Sequence, residues 1–194
     1  MLRLNQRTKT LLNLENRKRQ LGFQKGRTIG IHVRHGDGCL HGRRKQHGCR
    51  SLSDYLMEAR TIRDLYGKTN DVIFLATDSA AIIDDAKNYR NEFTFIFQHI
   101  ERNILQSRIK IESRLEKREL DPHELMVATL IDIFLLSECD YMITHQTSSL
   151  SRIALQLATV RLGYVPPYVS MDGPWCYHWR MCCDVKSDGR QSTC

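Results

Sequence analysis

Short apolar runs alternate along the chain with segments in which apolar residues recur every three or four positions. A short apolar run bounded by turn residues is typical of a buried strand, and the longer spacing is typical of an amphipathic helix. Their alternation predicts an α/β fold in which helices cover both faces of a parallel sheet. The predicted strands span residues 28–34, 71–76, 93–97 and 141–144, and the predicted helices span about 1–22, 51–65, 79–89, 121–136 and 147–158.

Capping and turn residues set the bounds of these helices and of the domain. Gly22 can end a lead-in helix, Ser51 or Ser53 can cap the helix after the first strand, and Asp121 can cap a helix that has proline at its first position. Residues 98–121 are charged and weakly periodic, which predicts either a helix or a mobile segment there. The predicted divisions are a lead-in at 1–27, a domain at 28–163 and an irregular cysteine-containing tail at 164–194.

Composition limits the classes of partner. A chain of 194 residues with 41% hydrophobic and 26% charged residues suits one folded domain. Its net charge of +7 would suit nucleic acid. The basic residues concentrate before the first strand and in the loop after it, where they suit a nucleotide diphosphate as well. Because there is no recognised nucleic-acid module and no apolar stretch of about 18 residues, neither a nucleic-acid partner nor a membrane segment is predicted.

The seven cysteines are an odd number, so at least one has no partner within the chain. Cys139 lies in an apolar helical pattern and is predicted to be a buried free thiol. A disulfide between Cys39 and Cys49, or disulfides near the carboxyl terminus, would suit a secretory compartment. The cysteines and histidine within 176–183 lack the paired spacing of a zinc module, so no metal site is predicted.

Polar residues follow three predicted strands, and the carboxyl ends of parallel strands meet at one edge of a sheet. They are His32, Arg34 and Asp37 at the first strand, Asp78 and Ser79 at the second, and Ser148 and Ser149 beyond the fourth. An arginine presents a planar fork of donors that matches phosphate oxygens, and serines at a helix N-terminus favour an anion. We therefore expect a phosphate-binding site at this edge.

Simpler interpretations of the same residues stay open. Arg34 and Asp37 could form an ion pair in a solvated surface loop. Asp78, Ser148 and Ser149 are residue types that cap helices and could serve that purpose alone. The convergence of three strand ends is what favours a binding site.

Asp132 stands within the apolar stretch 130–136, where a partly buried carboxylate needs partners. A guanine base offers two adjacent N–H donors that would satisfy this carboxylate. The alternative is pairing with a basic neighbour, such as an arginine from another helix. Asp132 is therefore a candidate for recognising the base of a nucleotide.

Between about residues 15 and 160 the chain resembles the α-1,6-fucosyltransferases, which include enzymes that fucosylate the N-glycan core and rhizobial enzymes that fucosylate chitin oligosaccharides. Several motifs carry this resemblance, and they follow in the order seen in the family. The motifs are residues 21–23, the strand 29–33 with Arg34 and Asp37, residues 74–78, residues 130–140, and Thr147-Ser148-Ser149 with Arg152.

The resemblance implies a two-domain glycosyltransferase fold of the B type, whose carboxyl-terminal Rossmann-like half holds the nucleotide. It implies a GDP-fucose donor, an oligosaccharide or glycoprotein acceptor, and direct transfer with inversion that needs no metal or other cofactor. In a eukaryote it implies the Golgi or another part of the secretory pathway.

The resemblance also implies roles for individual residues. Arg34 and Asp37 would be catalytic, with Arg34 stabilising charge on the departing GDP. The implied donor-site residues are His32 and Asp132 at guanine, Arg34 and Ser148 at the β-phosphate, Tyr55 and Asp78 in the wall of the site, and Ser79 and Ser149 beside them.

The loop after the first strand departs from the pattern of the core N-glycan enzymes. Gly38 stands where those enzymes have lysine, and residues 38–50 contain no carboxylate where they place a proposed general base. His41, His47 or a residue outside these 194 residues could replace that base, since histidine titrates in the useful range. The amino-terminal half that would shape an acceptor cleft is expected to be absent from these 194 residues. The alternative function is therefore a GDP-sugar-binding domain without transferase activity of its own.

Overall fold

In the computed structural model a five-stranded parallel sheet forms the centre of the molecule, within the described residues 5–35, 49–67, 71–102, 109 and 111–172. The strand order is β3-β2-β1-β4-β5. The strands are β1 (Thr28–Val33), β2 (Val72–Thr77), β3 (Thr94–Ile96), β4 (Tyr141–Thr144) and β5 (Tyr168–Ser170). This is the predicted Rossmann-like α/β class, in which chain crossovers carry helices to the sheet faces.

The helices of the described chain lie before β1 and between successive strands. The helices are α1 (Gln6–Leu12), α2 (Leu14–Leu21), α3 (Leu52–Tyr66), α4 (Ala80–Ala86), α5 (Ile111–Glu116), α6 (Pro122–Glu138) and α7 (Ser149–Leu162), with a 3-10 turn at Lys87–Tyr89. The side chain of Asp121 accepts hydrogen bonds at the N-terminus of α6, as predicted. None of the described helices is long and apolar enough to cross a membrane.

β1 and β2 are buried at every position, which explains their continuous apolar runs. Alternate side chains enter two separate cores. Ile29, Ile31 and Val33 pack with α3 and α4 in one core, which we call the α3 core. Phe74 and Ala76 pack with α6 and α7 in the other, which we call the α6 core. Helices thus cover both faces of the sheet, as the sequence predicts.

Close packing of α6 on β1 requires glycine at position 30. A β-carbon there would lie 2.9 Å from the Cys139 sulfur and 3.1 Å from a methyl carbon of Leu136. Cys139 itself is buried and free, as predicted. Burial raises the pKa of its thiol well above the ordinary value, so the thiol acts as a small apolar group.

Within the segment 98–121, residues 98–102 are irregular and α5 occupies Ile111–Glu116. Two other parts of the chain differ from the sequence prediction. The lead-in helix is split at Asn13, whose left-handed backbone (φ 41°) ends α1 and starts α2. The chain after residue 163 is not wholly irregular, because Tyr168–Ser170 pairs with β4 as an edge strand. The sheet therefore extends beyond the predicted domain boundary.

Candidate functional site

A cavity of about 240 Å³ lies where residues from the ends of β1 and β2 meet α6 and the start of α7. Its apolar walls include Ile100, Leu125 and Leu150. Its polar lining residues are His32, Arg34, Thr77, Asp78, Asp132 and Ser148. Five of the residues predicted for the donor site therefore line one cavity, at the edge where open α/β sheets bind ligands.

The Arg34 group consists of Arg34, Asp78 and the backbone of His35. Because β1 and β2 are parallel with Val33 opposite Thr77, the next residues of both strands are neighbours. Arg34 donates a hydrogen bond to Asp78 and forms an ion pair with it. The second Asp78 oxygen accepts from the backbone N–H of His35 at 2.9 Å. Asp78 is thus a fixed partner that orients the Arg34 guanidinium beside the cavity.

His32 is buried at 4% exposure, and its Nδ1 lies 2.8 Å from the hydroxyl oxygen of Ser151 in α7. This contact fixes the imidazole between β1 and the first turns of α7. The ring is therefore held in place at the cavity wall without the help of a ligand.

Ser148 is the N-cap residue of α7, yet its side chain makes no capping hydrogen bond. The interpretation of Ser148 as a simple cap therefore does not describe this helix. The first backbone N–H groups of a helix lack intrahelical partners and carry partial positive charge. Ser148, at the positive end of α7, thus lines a cavity that is also lined by the Arg34 cation.

The Asp132 group consists of Asp132 with Gln98 and Arg102. Asp132 is 8% exposed, and its Oδ1 accepts from the side-chain amide of Gln98 at 2.5 Å. Burial raises the pKa of Asp132 to about 6, against the opposing effects of the Gln98 hydrogen bond and the positive charge of Arg102. No other described residue donates a hydrogen bond to this carboxylate.

Arg102 links the end of β2 to the chain after β3. Its Nε donates to the Thr77 carbonyl oxygen at 3.0 Å, and its Nη1 donates to the Ile100 carbonyl oxygen at 3.4 Å. Its buried Nη2 has no hydrogen-bond partner among the described residues. Burial lowers the pKa of Arg102. The cation therefore acts on Asp132 through space, without a direct hydrogen bond.

Gln98 and Arg102 were not identified from the sequence. The sequence leaves open a basic neighbour for Asp132, such as an arginine from another helix, and Arg102 is a basic neighbour in irregular chain after β3. The available signal was topological, because the carboxyl end of β3 reaches the same sheet edge as β1 and β2. Residues that follow β3 were thus candidates on the same grounds as Asp78.

Three predicted donor-site residues do not line the cavity. Tyr55 is fully buried in the α3 core, and its hydroxyl is hydrogen-bonded to Nε2 of His145. Ser79 is buried before α4, with its backbone N–H 3.2 Å from the Thr77 hydroxyl. Ser149 is exposed as the first residue of α7. Tyr55 thus contacts the loop after β4 at His145.

The loop from His145 to Thr147 leads into Ser148 and is held by Asp172, another residue that the sequence did not single out. Asp172 accepts from the backbone N–H of Gln146 at 2.8 Å and from the backbone and hydroxyl of Thr147. Its second oxygen lies 3.3 Å from Nδ1 of His145. Asp172 therefore ties β5 to the loop that starts α7.

The predictions for Asp37, for His41 or His47 as a base, and for Cys39 as a disulfide partner fall outside the described residues, as does the 176–183 cluster. Cys49 is disulfide-bonded. Among the described residues no group of three or more histidine, cysteine or acidic side chains could hold a metal ion.

Comparison with known proteins gives a family and a fold. The family described as alpha-(1,6)-fucosyltransferase N- and catalytic domains matches residues 1–172. No curated protein matches the chain.

Solved structures resemble this fold at low sequence identity. NodZ α-1,6-fucosyltransferase soaked with GDP-fucose aligns with a TM-score of 0.52 and 21% identity, over 91% of this chain and 48% of that one. POFUT1 in complex with GDP aligns with a TM-score of 0.52 and 11% identity, over 87% of this chain and 48% of that one. The chain thus spans about half the length of the structures it matches. Identities this low show the fold alone.

Proposed function

The chain belongs to the family of alpha-(1,6)-fucosyltransferase N- and catalytic domains, and on that premise we propose that its cavity binds GDP-fucose. The observation that carries the proposal is the meeting of three features in one cavity. These are the Arg34 cation, the N-terminus of α7 at Ser148, and the buried Asp132 carboxylate. A nucleoside diphosphate sugar presents matching chemistry, because its phosphates are anions that suit Arg34 and Ser148 and its base carries N–H donors that suit Asp132.

We assign the base to Asp132 and His32. A carboxylate can accept from both N1–H and the exocyclic amine of guanine, a donor pair that adenine and uracil lack. Asp132 has one oxygen that accepts no hydrogen bond from a described residue. A polar group left unpaired in a buried site is costly, and this cost would select guanine over other bases.

We assign the β-phosphate to Arg34 and Ser148. In the proposed reaction the acceptor hydroxyl attacks the anomeric carbon of fucose as the bond to the β-phosphate oxygen breaks, so the configuration inverts and GDP leaves. Negative charge grows on the departing phosphate, and Arg34, oriented by Asp78, stabilises it without a metal. The hydroxyl proton passes to a base, for which we propose His41 or His47.

We propose a glycan hydroxyl of an oligosaccharide or glycoprotein as acceptor, with α-1,6 linkage, and the secretory pathway as the place of action. The family supports these assignments, and the disulfide at Cys49 fits an oxidising compartment.

A second candidate function is donor binding without independent transfer. Two observations favour it. The chain spans about half the length of the solved structures it matches, and residues 38–50 contain no carboxylate. Transfer requires the acceptor hydroxyl to be held in line with the anomeric carbon, and such positioning can lower a barrier by roughly 7–11 kcal/mol.

Calorimetric titration with GDP, ADP and UDP tests the proposed donor site. The unaltered protein is expected to bind GDP at least about tenfold more tightly than the other two, and Asp132→Asn is expected to remove that preference while the protein stays folded. Equal affinity of the unaltered protein for all three nucleotides would contradict the base assignment.

Incubation of the same protein with labelled GDP-fucose and N-glycan, chitin-oligosaccharide and protein acceptors separates the two functions. GDP binding with little or no transfer would support the second. Rapid transfer to any acceptor would support the first.

A further inference from the structure

Gln98 is placed so that one side-chain amide serves two acceptors on α6. It lies two residues beyond β3 and is 5% exposed. Its Nε2 donates to Asp132 Oδ1 at 2.5 Å and to the Ala128 carbonyl oxygen at 3.0 Å. These acceptors are four residues apart, so they lie on the same side of the helix.

This arrangement fixes the orientation of the amide. Two oxygen acceptors face one end of the side chain, and the NH₂ group is the end that can satisfy both, because the amide oxygen has no proton to donate. Reversal of the amide would place its oxygen against a carbonyl oxygen and a carboxylate. Gln98 is thus locked as a donor to Asp132.

We propose that Gln98 is a positioning residue that holds Asp132 as an oriented, ionised acceptor for the base of the nucleotide. This inference rests on the proposed function and deepens it. Each carboxylate oxygen has about two sites for hydrogen bonds. With one site on Oδ1 taken by Gln98, Asp132 keeps enough capacity for two adjacent N–H donors, and its rotation is restrained before the base arrives.

The charge of Asp132 depends on few neighbours. Gln98 and Arg102 act on it from the chain after β3, and His32, Arg34 and Asp78 line the same cavity from the ends of β1 and β2. Gln98 is the neighbour that donates a hydrogen bond to the carboxylate. Such a bond favours the ionised form, so its loss favours protonation.

Replacement of Gln98 by methionine keeps the length of the side chain and removes its donor. We would titrate the unaltered protein, Gln98→Met, and Asp132→Asn with GDP-fucose between pH 5 and 8. GDP-fucose is the probe because both of its phosphates are esterified and neither titrates in this range, whereas the terminal phosphate of GDP does.

In the unaltered protein, affinity is expected to fall as the pH drops through the range in which Asp132 takes up a proton. In Gln98→Met the fall should start at higher pH, with its midpoint at least half a unit above that of the unaltered protein. For a half-unit shift from a midpoint of about 6, the loss of affinity relative to the unaltered protein should be about 1.5-fold at pH 6.5 and close to none at pH 8. Asp132→Asn should bind GDP-fucose weakly, and its affinity should lack this dependence on pH.

Ser137→Ala is the matched control, because it removes a buried hydroxyl hydrogen bond on α6 away from the cavity. It should leave both the affinity and the midpoint unchanged. If Gln98→Met is folded and has the same affinity and midpoint as the unaltered protein, the inference is wrong. If Gln98→Met does not fold, Gln98→Asn, which keeps the NH₂ on a shorter stem, should shift the midpoint in the same direction by less.

A readout without nucleotide keeps this inference separate from the proposed function. Carbon-13 NMR of the Asp132 carboxyl in the free protein should show a higher titration midpoint in Gln98→Met than in the unaltered protein. An unchanged midpoint would overturn the role of Gln98 whatever the nucleotide. A shifted midpoint in a protein that binds neither GDP nor GDP-fucose would support the role of Gln98 in holding Asp132 and contradict the proposed function.

Discussion

Arg34 and Asp132 line the same cavity, but the charges in the Arg34 group and in the Asp132 group are balanced differently. In the Arg34 group a cation and a carboxylate are directly hydrogen-bonded, and a backbone N–H occupies the second carboxylate oxygen. In the Asp132 group the carboxylate receives one hydrogen bond from a neutral amide, and the nearby Arg102 does not reach it with a hydrogen bond.

This difference separates a group that is satisfied by the fold from a group that is incompletely satisfied. A buried carboxylate with too few partners costs stability, and such sites occur where a ligand supplies the missing interaction. The Arg34 group is organised before any ligand binds. The Asp132 group is the part of the cavity whose energy a base would change most.

The largest expected effect is on stability and comes from removing the Asp132 charge. The folded pKa of Asp132 is about 6 and its ordinary value is 3.8, so the folded protein holds this proton to higher pH than the unfolded chain. The contribution of Asp132 to stability is therefore present below about pH 3.8 and lost as the pH rises through about 6, by about 3 kcal/mol in total.

Urea unfolding of the unaltered protein and Asp132→Asn at pH 4 and pH 7.5 checks this. The variant should gain stability relative to the unaltered protein as the pH rises. Asp64→Asn, at an exposed position of α3, is the control and should show no such trend. If the free energy of unfolding differed between Asp132→Asn and the unaltered protein by the same amount at both pH values, the neighbours of Asp132 would already compensate fully for the burial of its charge.

A smaller effect is expected from Arg34→Lys, which keeps the charge of the Arg34 group and removes the two-pronged geometry. GDP affinity should fall by about 1–3 kcal/mol, as expected for a charge-assisted contact. Calorimetric titration measures it, with Arg63→Lys as control, since Arg63 pairs with Glu92 away from the cavity lining. Unchanged GDP affinity in a folded Arg34→Lys protein would remove Arg34 from the phosphate site.

The smallest effect is expected from Asp172→Asn, because Asp172 acts through the loop that precedes Ser148. Loss of its charge weakens the hydrogen bonds from Gln146 and Thr147 and should reduce GDP affinity by about 1 kcal/mol or less. Asp71→Asn is the control, since Asp71 pairs with Arg27 and does not line the cavity. A loss larger than that of Arg34→Lys would indicate that Asp172 contacts the ligand directly.

The Arg34 group was predictable from sequence, because both of its side chains follow apolar strands and the parallel register makes them neighbours. The partners of Asp132 were not predictable, because Gln98 and Arg102 lie in irregular chain whose path no periodicity encodes. β5 was missed for a related reason, since Tyr168–Ser170 is short, partly buried and without an apolar run. The resemblance implies Tyr55 in the wall of the donor site. In the structure Tyr55 lies on the buried face of α3 and packs in the α3 core.

The most direct test of the account is the ratio of GDP to ADP affinity in the unaltered protein, Arg34→Lys and Asp132→Asn, measured by calorimetry under one set of conditions. If the Arg34 group binds phosphate and the Asp132 group reads the base, Arg34→Lys weakens both nucleotides and preserves the ratio. Asp132→Asn then brings the ratio close to one. A ratio that changes in Arg34→Lys and not in Asp132→Asn, or a protein that binds neither nucleotide, would contradict the account.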